Sequence, residues 1–278
     1  MQIATSFLRR LWQGRFQTAF LAAFIAEPVA AVPPALETGA CSLENAVPAT
    51  VAVVEDSGEL LLDDGRRVAI LGMEIQRVGS GANARLSQWL VGKDVFIRAF
   101  SSMPDRWGRT PAAVFAPTGE DPAAPIVSIG AALLEEGLAR FRPDPPSAPC
   151  ATAYLAAEAT ARAARRGLWS DDAMQPLTAG DGARSLLQRK GMVILEGRIS
   201  SYGESRGLAF LNFGQKRAEA VSIVVLRRNL AMLQGSGINP AKLVGRKVRV
   251  RGLIETGFGP RIEVSTPAEI EILDGAAP

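Results

Sequence analysis

From Ala49 to Pro117 the apolar positions repeat at two different periods. ATVAVVED, GELLLDD and RRVAILG are short β-type runs, and the turn DDGR, Asp63 to Arg66, joins the last two as a hairpin. In ANARLSQWLVG the period lengthens. Ala82, Leu86, Trp89 and Leu90 fall on one helical face, and Gly92 supplies the terminal cap. KDVFIRAF alternates again as a strand, and PDRWGRTPAAVFAP reads as a turn followed by another strand. SIGAALLEEGLARF is a helix with Ser128 as N-cap, its periodicity ending near Gly137. CATAYLAAEATARAARRGLW, Cys150 to Trp169, is an alanine-rich helix with Arg162, Arg165 and Arg166 towards its C-terminal end, where cations complement the helix dipole.

Ser170 to Lys190 is polar and broken by Pro176, Gly180 and Gly182, with one helical turn at ARSLLQRK. A second all-β module follows. MVILEGRIS, LAFLNF, EAVSIVVL, RKVRVRGLIE, RIEVS and EIEIL alternate, RNLAMLQG interrupts them as a short helix, and GINPAKLVG introduces a strand. Short strands with one interrupting helix resemble a small OB-type barrel. The predicted organisation is a leader at 1–31, a Pro- and Ala-rich tether at 32–48, a β-rich domain at 49–172, a linker at 173–190 and a second β domain at 191–275. The class is mainly β (α+β).

The leader has a basic segment, MQIATSFLRRLWQGR, an apolar stretch, FQTAFLAAFIA, and small residues at Val29 and Ala31, the pattern of an export signal cleaved after Ala31. An uncleaved anchor and a buried helix are the other readings. The signal reading places the protein in the periplasm or outside the cell, with no membrane-spanning segment beyond the leader. The net charge of +3 is mostly in this leader, where Arg9, Arg10 and Arg15 face only Glu27. The remainder is close to neutral, which is no general mark of a nucleic-acid binder.

The chain has no histidine. Imidazole bases, Ser-His triads and His-ligated metals are therefore excluded. Export permits a disulfide between Cys41 and Cys150, the two cysteines of the chain; two buried thiols are the alternative.

The hairpin LLLDDGRRVAILGME, the segment GKDVFIRAF, the turn DRWGRTPAAV, the helix SIGAALLEEGLARF and the closing AYLAAEATARAARRGLW come in one order. In that order they resemble the staphylococcal-nuclease-like (thermonuclease) family, over roughly residues 49–169. The resemblance implies a five-stranded OB barrel with three helices and, in active members, calcium-dependent cleavage of DNA and RNA. Aligned on Asp64-Gly65, this chain departs from the family's catalytic motif. The first metal-binding aspartate falls on Gly58, and the threonine after it on Glu59. The first phosphate-clamping arginine falls on Ala69. The second metal aspartate falls on Glu74, and the water-positioning glutamate on Arg77, a cation that cannot accept a proton. Only the second arginine is kept, as Arg109.

Partial substitutes are at hand. Asp56, Glu55 and Glu59 lie near the lost aspartate, and Arg67, two residues before Ala69, shares its strand face. An active site would thus use Glu74, Arg109 and Arg67 for catalysis and Asp56 with Glu74 for calcium.

The leading expectation is instead a catalytically degenerate, exported nuclease-like protein. It needs no cofactor and binds DNA, RNA or another polyanion through Arg109, Arg106 and the strand-face row Lys247, Arg249 and Arg251, though such a row is equally a solvated outer face. Trp89 and Trp107 read as core residues. A calcium-dependent phosphodiesterase and a protein-interaction scaffold with an envelope partner are the alternatives, and fold alone does not separate them.

Overall fold

The computed structural model describes residues 41–75, 81–180, 186–189, 191–214, 221–257 and 259–274. The leader, most of the tether, Arg77 and Phe258 lie outside the described residues.

The first half contains β1 (Val47–Val54), β2 (Leu60–Leu62), β3 (Arg67–Ile70), β4 (Met73–Glu74), α1 (Ala82–Leu90), β5 (Asp94–Ala99), β6 (Arg109–Pro117), β7 (Ile126–Ser128), α2 (Ile129–Glu135), β8 (Arg140–Phe141) and α3 (Ala151–Ala163). The sheet runs β3-β2-β1-β5-β6-β7, and the parallel pairing of β3 with β6 closes five of these strands into a barrel. The DDGR turn forms as read: the Arg66 amide donates to Asp64 Oδ1 at 3.0 Å, and the strands pair Leu60 with Val68. Alternation decides what is inside. Val68 and Ile70 of β3 are buried, whereas Arg67 and Ala69 point to the other face. Ser128 caps α2 by accepting the Ala131 amide.

The second half contains β9 (Leu177–Thr178), β10 (Met192–Arg198), β11 (Ser201–Ser205), β12 (Leu208–Asn212), β13 (Ser222–Leu226), α4 (Arg227–Gly235), β14 (Lys247–Gly257), β15 (Gly259–Val264) and β16 (Ile270–Ile272). Its path is β11-β12-β13-β15-β14-β10-β9. Two residues, Ile199 and Ser200, separate β10 from β11, so these are two halves of one bent strand and the ring closes through them. Both barrels then have the same plan. Strand one pairs with strands two and four, strand three pairs in parallel with strand five, and a helix lies between strands three and four. The expected pair of OB-type barrels is present, the first with three α-helices. The segment read as a linker contributes to the second barrel: Leu177 pairs with Leu195, and Leu186 is buried in that core.

Cys41 and Cys150 are bonded, with Cα atoms 4.6 Å apart, at the foot of α3. At the other end of α3, Gly137 and Gly167 meet back to back. The Leu168 amide donates to the Gly137 carbonyl at 2.8 Å, and a Cβ on Gly167 would lie 2.4 Å from that oxygen. The Gly-Leu-Trp ending is thus a packing requirement, and it sets Trp169 into a fully buried site.

The barrels are joined by a buried ion pair and a hydrogen bond from the same arginine. Arg251 of β14 reaches Glu158 Oε2 of α3 at 2.8 Å, Glu271 Oε1 at 2.9 Å and the Phe141 carbonyl at 3.0 Å. Arg249 holds Glu196 and Glu271 at 2.7 and 3.1 Å. The row read as a polyanion track is therefore corrected. Arg251 is 1% exposed and faces the first barrel, and Arg249 is enclosed by two carboxylates; of the three only Lys247 is substantially exposed. Unpaired, a guanidinium at this depth would cost several kcal/mol, so its partners were dictated once the strand docked.

Candidate functional site

Two arginines stand side by side at the barrel rim. Arg67 of β3 and Arg109 of β6 are direct partners in the parallel pairing, on the face that Ala69 shares. Arg67, two residues before Ala69, thus stands next to Arg109 on the face of the lost arginine. Between the two guanidiniums lies Glu59. Its Oε1 accepts from Arg109 Nη1 at 2.7 Å and its Oε2 from Arg67 Nη2 at 2.9 Å. Glu55 takes the same Arg67 nitrogen, and Asp105 Oδ2 takes Arg109 Nε and Nη2 at 2.8 and 2.7 Å. Three carboxylates thus enclose two cations, and Glu59, only 11% exposed at its side chain, occupies the place between the guanidiniums.

The backbone explains why a carboxylate is absent at position 58. The Gly58 amide donates to the Glu55 carbonyl and the Glu55 amide to the Glu59 carbonyl, which closes a tight turn with Gly58 at φ +81°. A Cβ there would sit 2.6 Å from Ile75 Cδ1. Restoring an aspartate would demand both a left-handed backbone and displacement of Ile75.

Glu74 is directed elsewhere. It pairs with Arg140 across β4 and β8, with Nη1 3.8 Å from its Oε2, and Arg140 Nη2 donates to the Met192 carbonyl of the second barrel at 2.7 Å. That Oε2 is buried with no hydrogen-bond partner, and burial pulls the Arg140 guanidinium below its ordinary value. Asp56 is exposed, and its carbonyl accepts from Asn83 at 2.7 Å.

These residues do not fit calcium. The ion wants six to eight oxygens; Glu59 has both oxygens engaged by arginine, Glu74 faces Arg140, and Gly58 offers no side-chain oxygen. Among the described residues, no group of three acidic or cysteine side chains is arranged to hold a metal.

Beside the cluster, the β5–β6 loop presents Trp107. It is 56% exposed, which corrects its reading as core; Trp89 is half-buried and donates to the Pro117 carbonyl at 2.8 Å. The Arg106 and Arg109 guanidinium carbons lie 4.0 and 4.6 Å from the Trp107 ring centroid. The exposed ring and Arg106 form the accessible part of the site. Sequence reasoning missed Trp107 because exposure at a loop tip leaves no period; its position between two arginines was the available signal.

The cluster is expected to respond to acid. The Arg109 side chain holds the Asp105 carboxyl below its ordinary 3.8, and Arg67 holds Glu55 below 4.5. A carboxylate with a depressed folded-state value stabilises fully above its unfolded value, and that contribution is lost as pH falls through the folded one. Acidification below about pH 4 is therefore expected to loosen the Trp107 loop before the barrel unfolds. The check is tryptophan fluorescence from pH 5 downward, with W107F identifying the reporter. D105N should abolish this early change, and an unaltered change in D105N would refute the assignment.

Residues 62–171 match the family described as staphylococcal nuclease homologue. No curated protein matches the chain.

Proposed function

Because residues 62–171 are a staphylococcal-nuclease-homologue domain, which suggests a function of the nuclease type, we propose that this chain uses the nuclease fold to hold nucleic acid or a similar polyanion without hydrolysing it. The supporting observation is Glu59 seated between Arg67 and Arg109. Phosphodiester hydrolysis needs an activated water, a cation facing the non-bridging oxygens and donors for the developing charge. In this site the donors are already neutralised by an internal carboxylate and the carboxylates by arginines, and in the sequence the family's water-positioning glutamate is replaced by Arg77. Contact with a polyanion falls to the exposed Arg106 and Trp107, with Arg109 behind them.

Two features support export as part of this reading: the leader pattern of residues 1–31 and the Cys41–Cys150 bond, of a kind that persists in an oxidising compartment. Among the described residues no helix is long and apolar enough to cross a membrane.

The test is a cleavage assay on purified protein with single-stranded and duplex DNA in calcium, magnesium or EDTA. We expect no metal-dependent cleavage above R109A, and binding to DNA that weakens about tenfold in R106A/W107A, the size of one lost stacking contact. Metal-dependent cleavage abolished by R109A would establish the phosphodiesterase reading instead. No salt-sensitive DNA binding at all would favour a scaffold.

A further inference from the structure

The cations of the second barrel form two sets. Arg198, Arg246, Lys247, Arg249, Arg251 and Arg261 are each ion-paired. Arg206, Arg227, Arg228 and Lys242 are exposed and have no ion-pair partner among the described residues. No described residue from Ser205 to Ile254 is an aspartate or a glutamate, so that stretch supplies them no counter-charge.

Three of the four stand where local rules argue against an arginine. Arg206 and Gly207 are the two-residue loop of the β11–β12 hairpin, at φ +50° and +80°. Such a mirror-image turn favours Asn-Gly, and a long side chain in its left-handed first position is strained. Arg227 and Arg228 open α4, whose first turn holds no acidic residue. The positive end of the helix dipole disfavours cations there. Local rules broken together at one place are the mark of a functional site.

The two elements meet at a cavity. The Arg227 amide donates to the Gly207 carbonyl at 2.9 Å. Arg206 and Arg227 line a space of about 180 Å³ with Ser205, Leu208 and Leu230, and none of the lining residues is aromatic. Glu204 shares the rim, its carboxylate taken by the Tyr202 hydroxyl. A whole small molecule needs roughly 300–1,000 Å³, so this space holds one group of a larger ligand whose remainder lies outside. Outside, α4 exposes Met232 one turn after Arg228. The short turn Pro240–Leu243 packs against α4, β11 and β12; it carries the exposed Lys242 and is followed by the exposed Val244.

We propose that this cavity binds the headgroup phosphate of an anionic glycerophospholipid and docks the second barrel on a lipid surface. The two guanidiniums hold the non-bridging oxygens, and the glycerol carbons lie against Leu208 and Leu230. Met232 and Val244, ringed by Arg228 and Lys242, meet the surrounding interface as aliphatic groups among cations. The chemistry selects this occupant over a nucleic acid, because aliphatic walls offer no ring on which a base can stack. The site is separate from the first barrel's rim and does not depend on the reading of that rim.

The experiment is isothermal titration calorimetry on the full chain with monomeric dihexanoyl phosphatidylglycerol. It is run in the R106A/W107A background, so that the first barrel's rim contributes nothing. Dihexanoyl phosphatidylcholine, inorganic phosphate, glycerol 1-phosphate and a thymidine oligomer are titrated in parallel, and the phosphatidylglycerol should bind more tightly than each. Sedimentation with vesicles of phosphatidylglycerol in phosphatidylcholine follows; parent and variants share the same leader, so differences between them report the second barrel. R206A/R227A should weaken binding on the order of thirtyfold, about fivefold for each cation. R206K/R227K keeps the charge and loses the planar fork, so it should also bind the short-chain lipid more weakly than its parent. Circular dichroism controls for folding, and both arginines are exposed. Inorganic phosphate or glycerol phosphate binding as tightly as the lipid would make this a free-phosphate site and overturn the proposal. Preference for the oligomer, equal binding of phosphatidylcholine, an R206K/R227K protein indistinguishable from its parent, or vesicles that sediment R206A/R227A as well as the parent would each overturn it too.

Discussion

Replacing Arg251 by alanine is expected to destabilise the protein by about 3–5 kcal/mol, the largest effect of any single substitution away from the glycine contacts. Arg251 carries few alternatives. Its guanidinium is 1% exposed and joins Glu158, Glu271 and the Phe141 carbonyl in one geometry. Glu158 is fully buried; besides Arg251 it has Arg162 Nη1 at 3.2 Å and the Phe141 amide at 2.8 Å. Alanine would therefore leave a buried carboxylate facing one weakly placed cation, and the cost is that of the stranded charge rather than of the lost attraction. Partial compensation by Arg162 argues for the lower end of the range. For a domain of this size, that is a fall in Tm of roughly 6–12 °C. The discriminating variant is E158Q. Glutamine keeps an oxygen for the Phe141 amide and removes the charge, so E158Q/R251A should be more stable than R251A alone. A thermal double-mutant cycle checks this. Additive effects, or a loss below about 1 kcal/mol for R251A, would mean the barrels are held by something other than this network.

Much of this arrangement was legible in the alternation of residues, and the part that was not has a common cause. Val68 and Ile70 alternate with Arg67 and Ala69, which fixes the inner face of β3, and the same parity put Arg67 on the face of the arginine lost at Ala69. Val248 and Val250 against Lys247, Arg249 and Arg251 follow the same rule, and the valines are buried. What alternation cannot say is what lies beyond the polar face. A row of cations reads identically whether it meets water, a phosphate backbone or carboxylates on another barrel, because the deciding partner, Glu158, is 93 residues away in sequence. Glu59 was hidden for a related reason. Its role depends on two strands, β3 and β6, brought into register by a parallel pairing that no local pattern encodes. Gly58 was seen only as a missing ligand, whereas the turn and the Ile75 side chain show it as a position that excludes one.

Removing the disulfide is expected to cost a comparable amount by a different route. The Cys41–Cys150 bond spans a sequence separation of 109 residues. In the chain-entropy model, closing a loop of that length stabilises the fold by about 4–5 kcal/mol, acting on the unfolded chain. The bond also holds a segment with few other anchors. Before β1 begins, residues 41–46 are tied down by Arg98, whose Nη1 donates to the Ser42 carbonyl and hydroxyl at 3.2 Å, and by the packing of Leu43 on the core. These contacts are too few to hold the segment against its own conformational entropy at roughly 1–2 kcal/mol per residue. C41A/C150A should therefore lower Tm by roughly 8–20 °C, and under reducing conditions the wild type should approach the variant. Because β1 is the strand that pairs with both β2 and β5, loosening its approach should also raise amide exchange along Val47–Thr50 more than along β6. Calorimetry with and without reductant, followed by hydrogen exchange, separates the two contributions. A lower Tm with unchanged exchange in β1 is a pure effect on the unfolded chain, whereas an unchanged Tm would show that Arg98 and Leu43 hold the segment unaided. The expected outcome makes correct folding depend on oxidation, and so ties the stability of the barrel at whose rim Arg67, Arg109 and Glu59 meet to the compartment in which the chain folds.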